Sequence, residues 1–242
     1  KPTGFFAFPI KYVPLAHNEG QNQCPALIAS GKTITEQLSN PHHHAHAIKR
    51  RTVSHQLSKA WKAFKQGAIS CFSFMGPVGM AYLPKLFTAA FGLTRPVAHP
   101  DHAGLTEKAI ASRDINLELS SSNGAISGIT LNEQVTMAKS ALTAMSLTHN
   151  FAPLVLVVGH GSNTVNNPHA TGLDCGACGG HSGEANAKVA AKVLNNPNVR
   201  QQLVSDGIQI PEDTHFVACL HDTTTDQVHI LNESTIPRTY SS

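Results

Sequence analysis

Leu154-Val155-Leu156-Val157-Val158 runs without a polar interruption into Gly159-His160-Gly161-Ser162. A continuous apolar run rich in β-branched residues is the mark of a strand buried on both faces, and such strands sit in sheets covered by helices. The neighbouring segments supply those helices. Thr130 and Glu133 are spaced for a capping box ahead of a helix whose apolar stripe is Val135, Ala138, Leu142 and Met145. Another helix is expected from about Glu184 to Leu194. A third follows, with Asn196 as N-cap, Pro197 at its first position and Gly207 past its end. Thr214 to Leu220 reads as a second buried strand and Gln227 to Leu231 as a short third. This alternation predicts an α/β fold with a mainly parallel β-sheet and flanking helices.

The first half is less regular. Residues 1–40 read as irregular, with extended pieces at Gly4–Pro9 and Ala26–Ala29. Thr52 to Gln66 carries Val53, Leu57, Ala60, Trp61 and Phe64 at helical spacing. From Ala68 to Leu93 the chain is nearly all apolar, with Lys85 as its only charge. That length permits a membrane span, but Gly76, Pro77, Gly79, Pro84 and Gly92 interrupt it. The expectation is a buried or membrane-facing helical hairpin. Residues 94–128 are polar and rich in Gly and Ser, as in a linker or long loop. The expected domains are therefore 1–128, irregular and helical with the apolar segment 68–93, and 129–242, the α/β part.

Charge narrows the partners. Only 14% of the 242 residues are charged, against about 25% in a typical soluble domain. Either part of the surface is normally covered, or it is a neutral polar surface. A net charge of +3 is too small to argue for nucleic acid, and no basic patch interleaved with aromatics stands out. Lys49, Arg50 and Arg51 read as a solvated helix start. His42, His43, His44 and His46 share what reads as an exposed loop. Cys24, Cys71, Cys175, Cys178 and Cys219 are odd in number and mostly scattered. That pattern argues against a disulfide framework and for a reducing compartment or a metal site. The Lys1-Pro2 start, without Met or leader, leads us to expect a piece of a longer protein.

Three clusters carry candidate chemistry. His160 follows the buried strand, and in open α/β sheets ligands bind outside the carboxyl ends of strands. Its flanking glycines let backbone come close. Asp174-Cys175-Gly176-Ala177-Cys178-Gly179-Gly180 places two thiols in a glycine-rich loop, which suits zinc. The rival is a thioredoxin-like redox pair, whose first thiol needs a helix N-terminus. No aromatic precedes Cys175 and Gly179-Gly180 begins a helix poorly, which favours zinc. His221-Asp222-Thr223-Thr224-Thr225-Asp226 ends the next strand. It would share a sheet edge with His160 if the strands are parallel, either supplying hydrogen bonds behind a ligand or forming an Asp/Thr turn.

Together these segments resemble the DabA family, the zinc-containing subunit of bacterial energy-coupled inorganic-carbon transporters. The specific parts are Gly159 to Ser162, Asn166-Asn167-Pro168, Leu173 to Gly180, and Asp213-Thr214 with His221 to Asp226; Gly4-Phe5-Phe6, Pro9-Ile10 and Cys24-Pro25 match more weakly. The resemblance implies a β-carbonic-anhydrase-like layer and a zinc site in which His160 and Cys175 are ligands. Its other ligands come from a Cys-x-Asp-x-Arg motif absent from this sequence, which in the family lies just before the Gly-Phe-Phe segment. The resemblance thus implies that this chain alone is inactive. In the intact protein it implies zinc-dependent hydration of CO2 coupled to bicarbonate accumulation. It also implies a membrane-embedded, cation-translocating antiporter-like partner and a peripheral place on the cytoplasmic face of the bacterial inner membrane. The segment 68–93 is then a candidate contact with that partner. The alternatives are a zinc-dependent hydrolase of another class using the same His160 and Cys175, or a non-enzymatic zinc or redox module around Cys175 and Cys178.

Overall fold

The computed structural model describes residues 3–4, 7–23, 27, 29–93, 100–122, 125–164, 168–231 and 233–237. Phe5, Phe6, Cys24, Pro25, Asn166 and Asn167 lie outside the described residues, as do Ala26 and Ile28 of one expected extended piece and 94–99 of the expected linker. The chain divides into two compact units, 1–39 with 113–242, and 40–112. The fold is mixed α/β.

The first unit begins where irregular chain was expected. Strands β1 (Ile10–Val13), β2 (Gln21–Gln23) and β3 (Lys32–Leu38) join β4 (Arg113–Asn116) in a sheet ordered β2-β1-β3-β4. Only the β1–β3 pair in it is parallel. Along β3 the buried positions are Ile34, Glu36 and Leu38, so a carboxylate occupies a core position. Arg113 on β4 meets it: the guanidinium bonds Glu36 and lies 3.5 Å from the Glu184 carboxylate. Burial pulls the Arg113 pKa down, but Glu184 and Glu36 together hold it well above the ordinary arginine value. Burial, then Glu36, pushes the neighbouring Tyr12 phenol up. A two-stranded hairpin, β5 (Ser120–Ser122) with β6 (Ala125–Ser127), follows. The expected linker therefore contains three strands.

Thr130 and Glu133 form the expected capping box at the start of α5 (Leu131–Ala144). Lys32, then the Thr130 cap, holds the Glu133 carboxyl down to about 2. The apolar run forms β7 (Leu154–Gly161), followed by α6 (Ala170–Leu173), α7 (Glu184–Asn195) and α8 (Pro197–Ser205). Asn196 caps α8 and Gly207 takes φ +79°, both as expected. Strands β8 (His215–Asp222) and β9 (Gln227–Ile230) complete a sheet ordered β7-β8-β9. The β7–β8 pair is parallel and β8–β9 antiparallel. The expected mainly parallel sheet is thus corrected to mixed sheets, because the short turn after Asp222 returns the chain as a hairpin. β7 is also not buried on both faces: Leu154, Leu156 and Val158 alternate as exposed positions.

Helix α7 organises this unit. It packs on β7 and β8 and touches β4, and its Ala185, Ala187, Ala190 and Ala191 are all buried. Small side chains let it lie close to the strands. Lys188 donates to the Arg113 carbonyl at 3.0 Å and Lys192 to the Ile115 carbonyl at 2.6 Å. Those bonds tie α7 to the backbone of β4, the last strand of its sheet among the described residues.

The second unit opens with α1 (Pro41–Gln66), which absorbs the expected helix and the histidine run before it. His43 and His46 are exposed on a helix rather than in a loop, and Arg51 is buried mid-helix rather than solvated at a helix start. The expected hairpin over 68–93 is also corrected. It becomes α2 (Ser70–Ser73), a π-helical turn at Phe74–Val78 and α3 (Leu83–Ala90), none with a buried residue. Pro77 and the glycines break the segment into pieces too short to cover one another. Helix α4 (Glu107–Ala111), capped by Thr106, ends the unit. Among the described residues no helix is long and apolar enough to cross a membrane.

Replacing Arg113 by Met takes the guanidinium from the buried Glu36 carboxylate, while Glu184 keeps its 2.6 Å pair with Lys188. The expected loss is about 3–5 kcal/mol, read by urea denaturation. Much of it is expected to be recovered when Glu36→Gln is added.

Candidate metal centre

The site forms because two backbones cross. A Cβ on Gly159 would stand 2.5 Å from the Gly183 carbonyl oxygen, and one on Gly183 would stand 3.0 Å from the His160 nitrogen. The contact is sealed by Gly183 N–H donating to the His160 carbonyl at 2.7 Å. The end of β7 and the start of α7 are thereby fixed against each other, with no side chain between them.

The cysteine loop is tied to the same strand end. Asp174, directly after α6, accepts hydrogen bonds from the Ser162 hydroxyl and, at 3.0 Å, from Thr164 Oγ1. Beyond it the chain turns tightly, with Gly180 N–H donating to the Cys175 carbonyl at 3.0 Å. Gly179 and Gly180 take φ +61° and +80°, a left-handed backbone that suits glycine. The turn carries the two sulfurs to His160. The ligand atoms of His160, Cys175 and Cys178 all lie within 4.8 Å of one another. Cys178 is buried, while His160 and Cys175 are half-buried.

These three groups fit a metal ion. His160 Nε2 is shielded from solvent and has no hydrogen-bond partner among the described residues. An acceptor-capable imidazole nitrogen beside two thiols matches the N/S donors that zinc prefers, and bonds of about 2.0–2.3 Å need only small side-chain rotations from this spread. Sequence reasoning named His160 and Cys175, and the structure brings them together. Cys178, which the Cys-x-x-Cys loop offered as a zinc thiol but the resemblance did not assign as a ligand, joins them as a third donor. Cys175 follows the end of α6 and does not open a helix, so the dipole that would activate a redox thiol is missing.

His221 lies beside this group. It is the register partner of His160 across β7–β8, and both line one cavity of about 430 Å³ with Cys175 and Cys178. Its Nε2 sits 2.8 Å from Asp226 Oδ1. The Thr223-Thr224-Thr225 stretch is a hydrogen-bonded turn: Thr223 N–H donates to the Gly161 carbonyl at 2.8 Å, and Asn163 N–H to Thr224 Oγ1 at 2.9 Å. The parallel pairing thus brings the third cluster to the edge that holds His160.

Fold and site define a mixed α/β chain with a His/Cys/Cys cluster able to hold a metal ion at the end of a parallel strand pair. The family profile described as "Probable inorganic carbon transporter subunit DabA" matches residues 2–242, and the chain belongs to that family. A protein of that description from Chloroflexus aggregans (strain MD-66 / DSM 9485) is 51% identical over 241 residues, covering 99% of this chain and 29% of its own length. One from Roseiflexus sp. (strain RS-1) is 50% identical over 242 residues, with the same coverage. "Probable inorganic carbon transporter subunit DabA 1" of Bradyrhizobium sp. (strain BTAi1 / ATCC BAA-1182) is 47% identical over 237 residues, covering 97% of this chain and 28% of its own length. The chain thus spans under a third of the length of these relatives. No solved structure gives a significant match.

Gly159→Ala is expected to cost at least about 1–3 kcal/mol, since backbone cannot yield to the new methyl as a side chain would. Gly172→Ala, whose Cβ would meet nothing within 4 Å, is expected to be near neutral. Thermal melts of the two variants beside the parent check this.

Proposed function

We propose that this chain supplies part of the zinc site of an inorganic-carbon transporter subunit, in which hydration of CO2 is coupled to bicarbonate accumulation. The observation that carries the reading is His160 Nε2, buried, without a hydrogen-bond partner among the described residues and grouped with Cys175 and Cys178. Family membership supplies the transport context. His160 and Cys175 are the ligands from residues 129–242, and a Cys-x-Asp-x-Arg segment of the intact protein supplies the rest. His160 and Cys175 would hold the zinc, which would supply Lewis acidity for activating water near neutral pH. The Gly159–Gly183 crossing holds His160 in place, and the Asp174 bonds hold the cysteine loop. The cavity of about 430 Å³ gives a small neutral substrate room beside them. Because half the ligand set is lacking here, this chain alone is inactive. The intact protein works with a membrane-embedded cation-translocating subunit, at the cytoplasmic face of the inner membrane.

A second reading is favoured by the third sulfur. His160, Cys175 and Cys178 would supply three of the four donors of a structural, non-enzymatic zinc site, with a further local group as the fourth.

Metal analysis of this chain beside the full-length Chloroflexus aggregans relative separates the two. The expected result is stoichiometric zinc in the relative, little in this chain, and CO2 hydration only with the longer protein. Tight zinc in this chain that is lost on Cys178→Ser would sink the first reading and establish the second.

A further inference from the structure

Between Glu36 and Asp101 the sequence contains no Asp or Glu. Lys49, Arg50, Lys59, Lys62, Lys65 and Lys85 all fall in that interval and all are exposed. The whole chain carries only +3, so the rest of it is net acidic. Most of the exposed large apolar side chains among the described residues lie in the same interval. Ile69 is 86% exposed, Phe72 77%, Met75 76% and Phe91 74%. Scattered exposed apolar residues are ordinary, but a contiguous run in one segment marks an interaction site.

The two features are interleaved. On α1, Val53, Leu57, Trp61 and Phe64 form one stripe, and Lys62 and Lys65 each follow an aromatic by one residue, which places them along its flank. Trp61 stacks on Phe64 at 5.5 Å and meets Phe74 edge-on at 5.9 Å, and Phe74 meets Tyr82 at 5.9 Å. This ring chain joins the stripe of α1 to the apolar turns after it. Lys85 stands over the Tyr82 ring. A protein-facing patch is depleted of lysine near its centre. A bilayer interface selects the opposite: apolar side chains for the acyl boundary, Trp and Tyr at headgroup depth, and lysines whose stems lie along the apolar face while their ammonium groups reach phosphate.

We propose that residues 40–93 dock the chain directly onto an anionic phospholipid surface. The apolar side chains of 69–93 enter the headgroup–acyl boundary, and the lysines of α1 contact lipid phosphates. The segment lies on the bilayer and does not cross it. This docking rests on charge and exposure alone, so it stands or falls separately from the zinc reading.

The test is co-sedimentation of the whole chain with vesicles of phosphatidylcholine, with and without phosphatidylglycerol, at low and high salt. Binding is expected to the anionic vesicles and to weaken steeply in high salt. The triple change Lys59→Gln, Lys62→Gln, Lys65→Gln is expected to weaken it on the order of a hundredfold. Lys139→Gln on α5 is expected to leave it unchanged. Phe72→Ser with Phe91→Ser, whose side chains bury nothing, is expected to reduce binding while circular dichroism stays native. A folded chain that ignores anionic vesicles overturns the proposal, as does equal binding to neutral vesicles. So does capture only when a membrane protein is present in the vesicles, or tighter binding to a duplex oligonucleotide than to lipid.

Discussion

The unit that holds the candidate metal centre depends on a crossing at which Gly159 and Gly183 meet backbone to backbone. Everything in the site is referred to that point. His160 is the next residue on one strand, α7 begins at the next residue on the other, and the hydrogen bond from Gly183 to the His160 carbonyl locks the two. A site built on rigid elements places ligands more accurately than one carried by loops alone. Here only the two sulfurs come from a loop, and Asp174 ties that loop back to Ser162 and Thr164 beside the same strand end.

The crossing is braced from the far side of α7. Glu184, its first residue, reaches Arg113, which also holds Glu36 of β3. Lys188 and Lys192 continue the contact along the edge of β4. Residues far apart in the chain are thus gathered around one helix by charged groups, of which Arg113, Glu36 and Lys188 are buried. Such a network is exacting: it is favourable only when every member is paired, and removing one leaves the others stranded at a large cost. That makes it a device for fixing the pose of α7, and so of the glycine that His160 leans on, rather than a source of surplus stability.

What was legible in the sequence follows from how local the signals are. The capping box at Thr130, the Asn196-Pro197 start with Gly207 after the end, and the run 154–158 are set by neighbours a few residues apart, and each appears where expected. The strands β1 to β4 were not legible, because the buried face of β3 reads Ile34, Glu36, Leu38 and that of β4 begins with Arg113. A charge at a core position breaks the alternation that marks a strand, and its partner lies 77 residues away. The histidines before Ile48 hid a helix for a related reason: helix α1 is long but has little apolar periodicity at its start. In the site, His160 and Cys175 were named from the resemblance, whereas the nearness of Cys178 and His221 needed the turn geometry and the β7–β8 register.

The apolar segment 68–93 teaches the converse lesson: its hydrophobicity predicts a buried or membrane-facing hairpin, and its large apolar side chains lie exposed on short helical pieces. Apolar side chains bury in a core only where the chain can bring a second surface to them, and short helical pieces broken by Gly and Pro cannot do so for themselves. The unit 40–112 therefore leaves its apolar side chains exposed beside an acid-free run of lysines, while the unit carrying the candidate metal centre buries its own around α7. The sequence bore a signal for that division which hydropathy alone does not read. From Glu36 to Asp101 there is no carboxylate to oppose the lysines, so the field over this surface is of one sign. Such a field repels cationic and acid-poor partners and draws in phosphate-rich ones, and it does so before any apolar contact forms.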